Sequence, residues 1–192
     1  MFGFLNPFSK TYSKYSFQLN DGGREKAGFK GGAGDCVVRS IAIAANLPYM
    51  QVYEDLRLAN ERYAQVKNDR LAKRLSIKGS SPRNGNHRNV FHDYILSKGF
   101  EWVPTMKVGS GCQVHLRPDE LPDGVLIAKV SKHLTTIIDG VIHDTHDPSR
   151  DGNRCVYGYY IKKRQDLFGG AWGSRQLYRN WSCQSWLKWS MR

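Results

Sequence analysis

The chain has 192 residues, 40% of them apolar and 12% aromatic, and a formal net charge of +12. That length supports one domain with a core of its own, and the apolar share argues against wholesale disorder. No apolar run approaches the ~20 residues of a membrane helix, and MFGFLNPFSK lacks the basic and apolar regions of a secretory signal, so a cytoplasmic protein with no membrane partner is expected.

Residues 1–30 are polar and aromatic with paired glycines and read as an N-terminal arm, with a short strand near Tyr15–Leu19. In GGAGDCVVRSIAIAA, Asp35 is a good N-cap and starts a helix over Cys36–Asn46. This helix is apolar nearly all round, through Val37, Val38, Ile41, Ala42, Ile43 and Ala44, so it should be buried centrally. Pro48 opens a second helix with Tyr49, Val52, Tyr53 and Leu56 on one face, which continues as a basic helical stretch over 61–78. GSSPRNGNHR, 79–88, is a loop by composition, and a third helix over Asn89–Lys98 stops at Gly99.

From Phe100 the pattern becomes β. FEWVPTM is a short strand, VGSGC a turn, LRPDELPDG a polar connection, and VLIAKVS a strong strand. HLTTII and VIHDTH then form a hairpin about Asp139-Gly140, and CVYGYYI adds another strand. Helices first and an antiparallel sheet afterwards make an α+β domain over 31–162. Residues 163–192 form a basic extension rich in tryptophan.

The cysteines are Cys36, Cys112, Cys155 and Cys183, whose spacing fits neither a zinc ribbon nor a compact disulfide framework, so four reduced thiols are expected. His143, Asp144, His146 and Asp147 suggest a metal site, but His143 and His146 lie three apart and point to opposite faces of a strand, so no metal is expected. The glycine runs lack the Lys-Ser/Thr ending of a P-loop, and no cofactor is expected.

Cys36 is the chemical point of the chain. A thiol at a helix N-terminus feels the positive end of the dipole and unpaired N–H groups, which favour the nucleophilic thiolate. Such a nucleophile needs a base and a group to orient it. His133 opens the hairpin. With Asp139-Gly140 as the turn, facing positions sum to 279, so His133 faces His146 and Asp144 lies two residues along on the same side. Asp147 falls on the other side unless a bulge intervenes, and is the alternative orienting acid. A cysteine at a helix start is equally what a buried small hydrophobe looks like.

The order Cys on a helix N-terminus, His starting a strand and Asp on the adjacent strand resembles the papain-like cysteine peptidase superfamily. The segments DGGR (21–24), GDCVVR (34–39), His133–Asp139 and His143–Ser149 are similar to those of small papain-like proteins of phage and bacterial genomes. The resemblance covers roughly 15–161. It implies a nucleophile helix packed on an antiparallel sheet, with Cys36 as nucleophile, His133 as general base and then acid, and Asp144 as orienting carboxylate. The substrate would be peptide-like or protein, cleaved through a thioester in a bacterial host cell. In that scheme a Gln shortly before the Cys helps form the oxyanion hole. Here position 30 is Lys and no Gln lies nearer than Gln18, which leaves Gln18, Asn20 or the Cys36 N–H.

Arg24 and Arg39 are candidate contacts for a substrate carboxylate or phosphate, or else structural ion-pair partners. The helix over Arg57–Lys78 and the extension, with Trp172, Trp181, Trp186 and Trp189, offer a surface for nucleic acid or an acidic protein. The alternative function is an inactive fold of the same kind serving as a phage structural or nucleic-acid-associated protein, in the virion or the cell.

Overall fold

The computed structural model describes residues 13–162. The expected contribution of the basic extension, including Cys183 and its four tryptophans, lies outside these residues. The elements run β1 (Ser16–Leu19), α1 (Cys36–Ala45), α2 (Tyr49–Val66), α3 (Arg70–Lys78), a 3-10 turn (Pro82–Asn84), α4 (Arg88–Ser97), β2 (Phe100–Pro104), β3 (Val125–Val130), β4 (His133–Ile138), β5 (Val141–Asp144) and β6 (Val156–Lys162). The architecture is α+β, with helices packed on a six-stranded sheet of order β1-β5-β4-β3-β6-β2.

The sheet is mixed, which corrects the expected antiparallel one. β1 pairs parallel to β5, Gln18 opposite His143 and Leu19 opposite Asp144, while the other ladders are antiparallel. A parallel neighbour needs a long crossover, and here everything from α1 to β4 intervenes, so local pattern could not reveal it. The hairpin has the expected register, with Thr136 facing His143 and Ile137 facing Ile142. Between β3 and β6 the register shifts at Lys129/Val130, which leaves Tyr157 as a bulged residue.

The α1 helix is central, as its composition requires. Val38 and Ile41 are fully buried with Ile127, Leu134 and Tyr160 of the sheet. Burying each such aliphatic side chain is worth about 1.5–3 kcal/mol. Two hydrogen bonds fix its position on β4: Ser40 Oγ donates to Leu134 O at 2.9 Å, and Thr136 Oγ1 donates to Ser40 O at 2.9 Å. Asn46, in the left-handed conformation at φ 52°, closes the helix. The predicted continuous helix through 61–78 is instead broken at Lys67, and Asp69 caps α3 by accepting from Ala72 N at 2.8 Å. An Asn68-Asp69 pair favours that break, because short polar side chains prefer caps to helix interiors.

The opposite face of the sheet is covered by the stretch read as a polar connection. Leu116 and Leu121 are buried there with Leu126, Ala128, Ile137, Ile142 and Val156. Leu116 N donates to Arg154 O at 2.8 Å and Val156 N to Val114 O at 2.8 Å, which sets this segment beside the start of β6. Cys112 and Cys155 are joined there in a disulfide, their Cα atoms 5.7 Å apart. This corrects the expectation of reduced thiols at both positions. A sequence separation of 43 gave no spacing signal, because the bridge is set by backbone pairing rather than by a local motif. Among the described residues the free thiol is Cys36. No described helix is long and apolar enough to cross a membrane.

Candidate active site

Glycine brings the chain into the site. Gly34 N donates to Arg83 O at 2.9 Å, and a Cβ at Gly34 would lie 3.1 Å from Arg83 O and 3.1 Å from Gly85 N. The segment therefore passes tight against the 3-10 turn before α1 begins at Cys36. At that first helical position a backbone N–H has no intrahelical acceptor, and the dipole's positive end faces the thiol.

Asp35 does not cap α1 through its side chain, contrary to expectation. It is fully buried and accepts from Tyr49 Oη at 2.8 Å and Arg39 Nε at 3.2 Å, with Arg24 Nη1 at 3.8 Å. The carboxylate turns inward because two cations and a phenol are there to receive it. Without them its burial would be costly.

His133 opens β4 directly after Lys132, a non-glycine residue in the left-handed region at φ 59°. Its Nε2 lies 2.7 Å from Asp144 Oδ2 at the end of β5. Its ring shares a cavity wall with the Cys36 thiol and with Leu134, near enough for its charge to act on the sulfur. With Nε2 on Asp144, Nδ1 is the nitrogen left for sulfur. Three side chains from α1, β4 and β5 are thus gathered in one place, and the hairpin register is what carries two of them.

The charges reinforce one another. Burial alone would raise the Cys36 thiol, but the His133 hydrogen bond and charge, the Leu134 N–H and the Arg39 charge bring it below the ordinary thiol value. Burial opposes protonation of His133, yet its hydrogen bonds to Asp144 and Cys36 and their charges raise it to about 9. Burial likewise opposes the Asp144 charge, and His133 and Arg39 lower it to about 2. Near neutral pH these directions favour a thiolate–imidazolium pair, with Asp144 ionised behind it.

Of the two parts open to Arg39, substrate contact or structural cation, its partners match the second. Only 5% exposed, it donates from Nη1 to Asp144 Oδ1 at 2.7 Å and Thr145 Oγ1 at 3.0 Å, and from Nε to Asp35 Oδ1. It stands one helical turn from Cys36, so the residue that steadies the carboxylate comes from the helix that carries the thiol. Arg24 lines a different cavity, with Asn20, Asp21, Phe29 and Lys30, rather than the one at Cys36.

Neither predicted oxyanion side chain is brought to the sulfur cavity. Gln18 is exposed on β1. The Asn20 carboxamide accepts from Gly22 N at 2.9 Å and lies 3.4 Å from His143 Nδ1. Of the candidates, the Cys36 backbone N–H is the one at the thiol. Asp147 is exposed and accepts from Ser149 N at 2.8 Å, so it is Asp144 that meets His133. His146 lies beside His133 as a tilted ring pair, with centroids 5.1 Å apart and planes at 45°. Among the described residues no group of three or more His, Cys, Asp or Glu side chains is placed to hold a metal ion.

Cys36 and His133 open on a cavity of about 360 Å³, with Gly34, Asn86, Phe91 and Leu134 among its walls. Asn86, His87 and Arg88 carried no motif, and only the folding of the 79–88 loop against α1 reveals their place there. A larger cavity of about 680 Å³ lies along α3 and shares His87 with the first. No protein-family model, no curated protein and no solved structure matches the chain.

Proposed function

We propose that this chain is a papain-like cysteine hydrolase, a peptidase or amidase working through a thioester. The observation that supports this reading is a half-buried thiol at a helix N-terminus that shares the wall of an open cavity with a histidine, whose Nε2 sits 2.7 Å from a buried carboxylate. A structural cysteine needs neither partner nor access.

In this reading the Cys36 thiolate attacks the carbonyl carbon of an amide, and the Cys36 N–H donates to the oxygen that becomes negative. His133, protonated on Nδ1, gives that proton to the leaving amine as the C–N bond breaks. Neutral His133 then takes a proton from water, whose oxygen attacks the thioester carbonyl, and thiolate leaves as the acid forms. Asp144 keeps Nε2–H directed at itself, fixing the tautomer that presents Nδ1 to sulfur, as the acid of a catalytic triad does.

The test is cleavage of a proteome-derived peptide library by the full chain, read as new amino termini by mass spectrometry. Cleavage abolished by Cys36→Ala and by His133→Ala supports the reading. No new termini from the native chain, with Cys36 no more reactive than free cysteine, overturns it.

A further inference from the structure

We propose that the cleft at Cys36 extends into a groove for an acidic peptide segment, reaching along the first turn of α4 to α3. The inference rests on the hydrolase reading for what happens at sulfur, but the groove stands on its own geometry. The cavity at Cys36 is lined by Arg88, Lys129 and Lys132. The next, of about 470 Å³, shares Asn86, His87 and Lys132 with it and adds Arg74 and Lys78. Neither is lined by any Asp or Glu. Five cations therefore surround a continuous depression that begins at the thiol.

A basic protein has lysines everywhere, so placement is what matters. Some cations elsewhere on the described surface meet carboxylates, Lys14 with Asp151 and Arg57 with Glu54 and Glu61, and others such as Lys26 and Arg62 do not, so what marks this set is that its members line two cavities that share walls. Arg74, Lys78, Arg88, Lys129 and Lys132 have no carboxylate within ion-pair distance among the described residues. Asp69, the acid on the outer cavity, is engaged by Ala72 N and Tyr63 Oη. Burial and the charge of Arg88 lower the Lys129 ammonium, and burial with the charges of Arg88 and Lys129 lowers His92 against the opposing charge of Asp93. Arg88 and Lys129 thus act on one another, and neither has an ion-pair partner among the described residues.

The fold also holds these cations in place. Arg88 Cζ sits 4.5 Å over the Trp102 ring, and Trp102 lies against Gly158, where a Cβ would be 2.3 Å from its ring. Lys132 occupies its left-handed position immediately before His133, so the turn that delivers the histidine delivers a cation beside it. Leu71 and Leu75 add apolar wall between the charges. Alternating cations and aliphatic wall beside an amide-cleaving thiol match a peptide with glutamates or aspartates flanking the bond.

The test uses two chloroacetyl-capped peptides on the full chain, one bearing four glutamates and the other four glutamines at the same positions. Labelling of Cys36 is mapped by mass spectrometry, with iodoacetamide as an uncharged reference. The glutamate peptide is expected to label Cys36 about tenfold faster at low salt, the sum of a few exposed charge pairs. That advantage should shrink with added salt and in Arg74→Glu/Lys132→Glu. It should persist in Lys14→Glu, a cation that lines none of these cavities. Equal rates for the two peptides, while iodoacetamide still labels Cys36 rapidly, would overturn the groove and leave the hydrolase reading intact. Slow labelling by every reagent would count against the hydrolase reading alone. The groove is then decided by fluorescence anisotropy of an unreactive acetyl-capped glutamate peptide on Cys36→Ser, where preference over the glutamine peptide supports it and no preference overturns it. Displacement of that peptide by a single-stranded DNA decamer at lower concentration than the unlabelled peptide needs would also overturn it, in favour of nucleic acid.

Discussion

Replacing Arg39 by Met removes the cation on which two buried carboxylates depend. The side chain keeps most of its volume, so the loss is electrostatic. Arg39 contacts Asp35 Oδ1 at 3.2 Å, Asp144 Oδ1 at 2.7 Å and Thr145 Oγ1 at 3.0 Å. Asp144 keeps His133 and the Thr145 N–H, whereas Asp35, 0% exposed, keeps the Tyr49 hydroxyl and an arginine 3.8 Å away. The cost therefore falls mainly on Asp35. Removing one partner of a buried pair costs about 3–5 kcal/mol, a large part of the ~5–15 kcal/mol that holds a typical domain. Urea unfolding at pH 7, followed by far-ultraviolet circular dichroism, should show a loss near 3 kcal/mol. Thermal unfolding should fall by about 10 °C. Adding Asp35→Asn should return about 1–2 kcal/mol, because it removes the orphaned charge. A loss under about 1 kcal/mol, or a double variant less stable than Arg39→Met, would refute this assignment.

Stability should also depend on pH with two opposite slopes. Asp144 titrates at about 2 when folded against an ordinary 3.8, so its contribution is complete above about pH 4 and is lost as pH falls toward 2. His133 titrates at about 9 against an ordinary 6.5, so its contribution is complete below about pH 6.5 and is lost as pH rises to about 9. Urea midpoints should be highest between those limits, and Asp144→Asn should flatten both slopes. Gly22→Ala should cost about 1–3 kcal/mol in the same assay, since φ is +66° and a Cβ would lie 3.1 Å from Arg39 O and 3.2 Å from Arg39 Cα. Cys112→Ala/Cys155→Ala should lower stability by up to about 4 kcal/mol, the chain-entropy value for the separation of 43 residues, without changing Cys36 reactivity. Asn20→Ala should leave peptide cleavage within about twofold, because its carboxamide is engaged by Gly22 and His143 rather than turned to the sulfur. A loss of a hundredfold, the usual cost of an oxyanion donor, would restore it to that role.

What was legible in the sequence was local. Asp139-Gly140 fixed the hairpin register, and the register sets His133 against Asp144 by arithmetic alone. The unbroken apolar character of Cys36–Ala45 announced a central helix. Long-range partners were not legible. Nothing around Ser16–Leu19 indicates a parallel seat beside β5, and Asp35 has the identity of an N-cap but the surroundings of a buried counter-ion. Arg39 stands among apolar neighbours as a solvent-facing cation also would, and only the meeting of α1 with β5 makes it the link between Asp35 and Asp144. The basic residues of α3 and of the turn before His133 are far apart in sequence. They gain meaning as one lining only when the 79–88 loop folds between them.

The central claim is that Cys36 and His133 form an ion pair held by Asp144. It is tested most directly by the rate of Cys36 alkylation with limiting iodoacetamide from pH 4 to 10, mapped by mass spectrometry, in the native chain and in His133→Ala. In the native chain alkylation is expected to begin below the ordinary thiol range, with a second change near pH 9 as His133 loses its proton. In His133→Ala a single later rise should replace both. A single rise in the ordinary thiol range in both proteins would contradict the ion pair, and with it the proposed chemistry.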